Sequence, residues 1–121
     1  MIITLYENSF YSFNINAANG SIICLRIQGL NEEVKVYQLT LENLNCIQSQ
    51  NGNRWNQAFV KELSFFPENN YYGSYFVIEN NMNYILIVNR GQGCQLICDF
   101  SENPSLFYNA ANTSSSVSGM L

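Results

Sequence analysis

Apart from its phenols, this chain of 121 residues has nine carboxylates, four thiols, five basic groups and no imidazole with which to do chemistry. The missing histidine removes Ser-His-Asp and Cys-His triads, imidazole acid-base steps and most catalytic zinc sites together. Gly91-Gln92-Gly93 is the nearest approach to a phosphate loop, but it lacks a third glycine and a following helix pattern. A Ser-x-x-Lys dyad is also absent, because Glu32 and Ala58 stand three residues before Lys35 and Lys61. Two carboxylates at the right separation could still cleave a glycoside. Nothing in the order of Glu7, Glu32, Glu33, Glu42, Glu62, Glu68, Glu79, Asp99 and Glu102 marks such a pair. The expectation is a protein that binds rather than catalyses, with no cofactor.

The thiols point the same way. A structural zinc site wants two closely spaced cysteine pairs in turns, whereas only Cys94 and Cys98 are close, and they lie in a strand-like run. Cys24, Cys46, Cys94 and Cys98 are therefore read as small buried thiols in a reducing compartment, with no metal bound and with disulfides as the alternative. In Cys94-Gln95-Leu96-Ile97-Cys98-Asp99-Phe100 the period of two places both thiols in the core beside Leu96 and Phe100.

Charge excludes further classes of partner. Charged residues make up 12% of the chain, about half the usual share. The five cations, Arg26, Lys35, Arg54, Lys61 and Arg90, are scattered singly and the net charge is −4. A phosphate backbone or an anionic membrane needs a concentrated basic patch, so neither is an expected partner. Asparagine occurs 19 times and lysine twice, which makes a surface that is polar but weakly charged. Met1 to Glu7 has no basic stretch before its apolar residues, and no apolar run approaches the ~18 residues of a membrane span, so a cytoplasmic location is expected.

Aromatic residues supply the positive signal. Eight tyrosines, eight phenylalanines and one tryptophan exceed what a small core normally takes. The segment Phe65-Phe66-Pro67-Glu68-Asn69-Asn70-Tyr71-Tyr72 is the leading candidate for a contact surface, because adjacent tyrosines entering a strand face opposite ways. Glu68, Asn69, Tyr71 and Tyr72 are the candidate partner-binding residues there, joined by Glu32 and Glu33 of the turn after Asn31. Trp55, beside Arg54, is read first as a core anchor.

The elements that must position these residues are mostly strands. Asn19-Gly20 and Asn51-Gly52 are hairpin signals, the first joining a strand near Phe10–Ile15 to Ser21–Ile27. Between Val34 and Leu44 the apolar phase slips from Val34 and Val36 to Tyr37, Leu39 and Leu41, as a β-bulge would produce. Trp55, Phe59, Leu63 and Phe66 recur at helical spacing before Pro67, which predicts one short helix near 54–66, with a strand through Ala58–Leu63 as the rival reading. From Tyr72 the pattern reads as a meander through Tyr84–Val88 and Cys94–Phe100, then a short strand at Leu106–Tyr108. The predicted fold is an antiparallel β-sandwich or open barrel of seven to eight short strands, one domain over 1–108 with a Ser/Asn-rich tail over 109–121. The expected function is a small acidic protein that binds and blocks another protein, in the manner of an immunity protein or inhibitor. The alternative is a carbohydrate-binding or structural surface module of the kind found in a virion or fibre.

Overall fold

Alternation along Ile22–Gln28 sets the architecture. Ile23, Leu25 and Ile27 point one way into complete burial, while Ile22, Arg26 and Gln28 point the other way towards solvent. The computed structural model describes residues 1–49 and 55–102. Within them are nine strands: β1 (Ile2–Leu5), β2 (Ser9–Asn14), β3 (Ile22–Gln28), β4 (Val34–Leu39), β5 (Val60–Glu62), β6 (Phe66–Pro67), β7 (Tyr72–Val77), β8 (Tyr84–Asn89) and β9 (Cys94–Glu102). One helix, α1 (Leu41–Gln48), and a 3-10 turn at Gln57–Phe59 complete the elements.

The strands form two antiparallel sheets, β1-β9-β3-β7-β6 and β2-β8-β4-β5. They pack as the expected sandwich. Its core lies between the sheets, where Leu5, Phe13, Ile23, Leu25, Ile85, Ile87, Leu96 and Cys98 are buried together. Only the β4-α1-β5 link and the β6–β7 hairpin keep the chain in one sheet, and every other connection crosses to the opposite sheet. This wrapping is the connectivity of a jelly roll, with β6 added at one edge.

Four expectations are corrected by this arrangement. The Asn19-Gly20 turn is not a hairpin, because β2 and β3 lie in different sheets. Gly20 alone takes the left-handed conformation (φ +96°), with Ser21 N–H donating to Ala18 O at 3.1 Å, so the turn has type II rather than type I′ character. The double left-handed turn falls instead at Asn80-Asn81 (φ 53° and 59°), and it too passes between sheets. The meander from Tyr72 is therefore an alternation: β7 and β9 belong to the five-stranded sheet and β8 to the other.

No bulge interrupts β4, whose register with β8 runs unbroken from Val34 opposite Asn89 to Leu39 opposite Tyr84. The inward row is Val34, Val36 and Gln38. The apparent slip arises because the inward Gln38 is polar while the outward Tyr37 and Leu39 are covered by α1.

The helix lies at Leu41–Gln48, not near 54–66. Thr40 caps it, its Oγ1 accepting from Asn43 N–H at 3.3 Å, and Leu44 and Ile47 press onto Leu39 and Leu86 as a second, smaller core. The helical spacing after Trp55 is coincidental. Phe59 ends the 3-10 turn, Leu63 enters the main core and Phe66 sits in β6, three different environments. Trp55 is half-buried against the second core, as an anchor would be. Asn51-Gly52, Leu106–Tyr108 and the tail over 109–121 lie outside the described residues.

Three buried amides hold the connections between strands together. Gln38 Nε2 donates to Val77 O and to Met82 O, both at 2.9 Å. Asn43 donates to Asn56 O and Phe59 O and accepts from Asn56 N–H at 2.8 Å. Asn89 donates to Tyr6 O and Gln92 O and accepts from Gly91 N–H at 3.0 Å. A buried amide without such partners costs more than the bonds return, so each of these side chains specifies one loop geometry. Part of the amide surplus in the sequence is thus structural.

Candidate functional site

The two sheets differ in what covers their outer faces. The four-stranded sheet carries α1 and Trp55 on its outer side. Among the described residues no element covers the outer face of the five-stranded sheet. Strand register gives that face its composition. One row across it is Ile2, Ile97 and Gln28, the next Asp99, Arg26, Gly73 and Phe66, the next Ser101, Cys24 and Tyr75, and the last Ile22 and Val77. Ile2, Ile22, Phe66, Tyr75, Val77 and Ile97 are each between 41% and 66% exposed, so six large apolar side chains share one open surface. Such a concentration makes this face the candidate interaction surface, whereas scattered exposed apolar residues carry no such signal.

Four polar side chains on and beside this face, Arg26, Asp99, Tyr71 and Glu68, are tied to one another. Arg26 Nε donates to Asp99 Oδ1 at 3.0 Å near the centre of the sheet. The Arg26 guanidinium carbon lies 5.8 Å from the centroid of the Tyr71 ring, a cation–π arrangement. Tyr71 in turn donates from its hydroxyl to Glu68 Oε2 at 2.8 Å, and that bond, with burial second, raises the Tyr71 phenol above its ordinary range. The β6–β7 hairpin that carries both is closed by Glu68 N–H donating to Tyr71 O at 2.8 Å. Phe66 stacks on Tyr75, and Tyr75 also hydrogen-bonds the sulfur of Cys24, whose thiol is raised mainly by burial.

The predicted site residues divide between two places. Glu68 and Tyr71 border the exposed face beside Arg26, and Asn69 is exposed in the same hairpin loop. Tyr72 begins β7, exposed and paired with Pro67 and Ile27. Glu32 and Glu33 lie in the β3–β4 loop and line a different cleft with Asn31, Gly91, Gln92, Gly93 and Cys94. Glu33 O accepts from Arg90 N–H at 3.0 Å and Asn31 Oδ1 accepts from Glu33 N–H at 2.8 Å. The two groups share an end of the sandwich but line no common cleft.

Sequence reading missed Arg26, Asp99, Ile2, Ile22, Tyr75, Val77 and Ile97 as members of one surface. A signal existed. Ile22-Ile23-Cys24-Leu25-Arg26-Ile27 is apolar in both phases, which a strand with one solvated face does not require.

The thiols are all free. Cys98 is fully buried, and burial, with the neighbouring Asp99 second, pushes its pKa up to about 12. Cys94 is a partial correction: at the start of β9 it is only half-buried, packed against the core rather than within it. Among the described residues no group of three His, Cys, Asp or Glu side chains converges, and no helix is long and apolar enough to cross a membrane.

No family model, curated protein or solved structure matches this chain. Function is therefore argued from the surface alone. A jelly roll by itself does not choose among functions, because the same wrapping serves capsid proteins, lectins and enzymes.

Proposed function

We propose that this chain is a non-catalytic binding protein that engages another protein through the outer face of its five-stranded sheet, occluding the surface it covers as an inhibitor or immunity protein does. The observation that carries this reading is the unequal cover of the two sheets: α1 and Trp55 cover part of one outer face and leave Phe10 as its exposed large apolar side chain among the described residues, while the other leaves Ile22, Phe66, Tyr75 and Val77 open around a fixed Arg26–Asp99 pair. Interfaces are enriched in aromatic and aliphatic anchors and in arginine, and this face combines such anchors with Arg26, which is held by Asp99.

Charge favours a particular partner. Among the described residues Asp99 and Glu68 outnumber the cation Arg26 on and beside the face, within a chain of net charge −4. A protein with a basic rim around an apolar centre complements it. An anionic lipid surface does not, since juxtamembrane binding rests on clustered Lys and Arg.

The test is paired affinity capture from the native host. Wild-type protein and a Tyr75→Ser, Val77→Ser variant are compared at equal loading. Both positions are exposed, so the fold is retained, which a melting curve verifies. A basic protein retained by the wild type and lost from the variant supports the proposal. Equal retention by both overturns the assignment to this face.

A further inference from the structure

We infer that the cleft between the start of α1 and the β7–β8 turn is a binding site for a neutral sugar ring. This site is independent of the sheet face: it lies at the end of the sandwich opposite the Glu68–Tyr71 hairpin, against the other sheet.

The cleft is open, about 610 Å³ in volume, within the range of small-ligand sites. Thr40, Leu41, Glu42 and Asn45 form one wall, Asn80, Asn81 and Asn83 the other, with Phe59 and Tyr84 between. Both aromatic rings are half-buried, so each is anchored in the protein and retains an exposed part.

The turn wall is held by backbone and side-chain bonds. Met82 N–H donates to Glu79 O at 2.9 Å, Ile15 N–H to Asn83 O at 2.8 Å and Gln38 Nε2 to Met82 O at 2.9 Å. Asn19 clasps Asn81 twice, donating to its Oδ1 and accepting from its N–H, both at 3.1 Å. The helix wall is fixed by Thr40 N–H donating to Phe59 O at 3.3 Å and by the Asn43 bonds to Asn56 and Phe59.

Against this fixed frame, the side-chain amides of Asn45, Asn80 and Asn83 make no hydrogen bond with any described residue. Each amide offers one acceptor oxygen and two donor hydrogens. Vicinal hydroxyls of a pyranose need alternating donors and acceptors on one edge and an apolar surface under the C–H face. Three free amides beside two aromatic rings supply both. Among the described residues Glu42 is the single charged residue of the lining and no cation lines it, which disfavours phosphate, sulfate and carboxylate ligands. The walls need no reorganisation on binding, which removes one cost of recognition.

The experiment uses the full chain in two steps. A saturation-transfer-difference NMR screen of neutral and acidic glycans at millimolar concentration identifies a probe. Amide NMR titration with the neutral glycan that binds best then maps the contact, with Kd expected on the order of 1 mM for so open a cleft. Shifts should centre on Asn45, Asn83 and Tyr84. Asn45→Ala and Asn83→Ala should each weaken binding about fivefold, the loss of about one hydrogen bond. Asn45 is exposed on α1 and Ala is a better helix former, so that variant keeps its fold. Tyr75→Ser, outside the cleft, should leave sugar binding unchanged. Binding to acidic glycans alone, no neutral glycan bound in the millimolar screen, shifts centred away from the cleft, or undiminished affinity in Asn45→Ala each overturns the inference.

Discussion

The ring of Phe66 stacks on that of Tyr75, centroids 5.7 Å apart and planes within 14° of parallel, across Gly73, the single position of β7 that has no side chain. A Cβ at residue 73 would meet Phe66 Cζ at 3.6 Å, an ordinary van der Waals distance. The stack therefore lies over a glycine that is not required by its backbone conformation.

Gly73→Ala is expected to raise stability by about 0.4–1 kcal/mol, because alanine restricts the unfolded chain and fits the native space. Gly73→Val adds methyl groups where the Phe66 ring lies and should displace it, lowering partner affinity with little change in stability. Urea denaturation measures the first effect. Near-ultraviolet circular dichroism of Phe66 and Tyr75 follows the second.

Asn43 is expected to be the costliest amide to remove, because its one side chain satisfies two carbonyls and one N–H of the 56–59 segment. Asn43→Ala and Asn43→Asp should each cost at least about 2 kcal/mol, the first by leaving those groups unpaired and the second by removing both donors and burying charge. Denaturant midpoints at constant m-value check this. A loss under about 0.5 kcal/mol contradicts the role given to Asn43.

How far the sequence revealed these features depends on what produced the signal. Period-two alternation in β3 and β9 reports a single sandwich core, so strand character and the inward rows of Leu25 and Leu96 were legible. Sheet membership was not, because the turn chemistry at Asn19-Gly20 is the same whether the next strand pairs with the last or crosses the core. The eight residues of α1 bury chiefly Leu44 and Ile47, too few for a helical period, while Leu39 and Leu41 imitate a strand. Tyr71 and Glu68 were legible as a local cluster. Their partner Arg26 was not, being 45 residues away from Tyr71 along the chain and joined to it only by the pairing of β3 with β7.

Cys98 should make stability fall as the solution becomes alkaline. Its folded pKa of about 12 exceeds the ordinary value of 9.0, so above pH 9 the folded state holds a proton that the unfolded state releases. Between pH 9 and 12 that difference lowers unfolding free energy by up to about 1.4 kcal/mol per pH unit. Tyr11 and Cys24 are raised as well and act with the same sign, so the comparison is with Cys98→Ala. The variant should be less stable at pH 7, by about 1 kcal/mol or more from lost packing, and should lose stability less steeply above pH 9.

Tyr71→Ala is expected to weaken partner binding without appreciably lowering the melting temperature, while Tyr72→Ala, in register with the inward Ile27 and so on the opposite side of β7 from Tyr75, should weaken it little; neither ring belongs to the buried core. Tyr71 should have the larger effect, because it also orients Arg26. Loss of several kcal/mol of stability with affinity intact would place both rings in a structural role instead.

Site-specific photo-crosslinking tests the central claim most directly. Benzoylphenylalanine is placed at position 75 on the open sheet face, or at position 57 on the exposed 3-10 turn as control, and the protein is irradiated in the cells that produce it. The account predicts one discrete adduct with a basic protein from position 75 and none from position 57. An adduct from position 57 alone, or from position 75 only with a second copy of this chain, contradicts it.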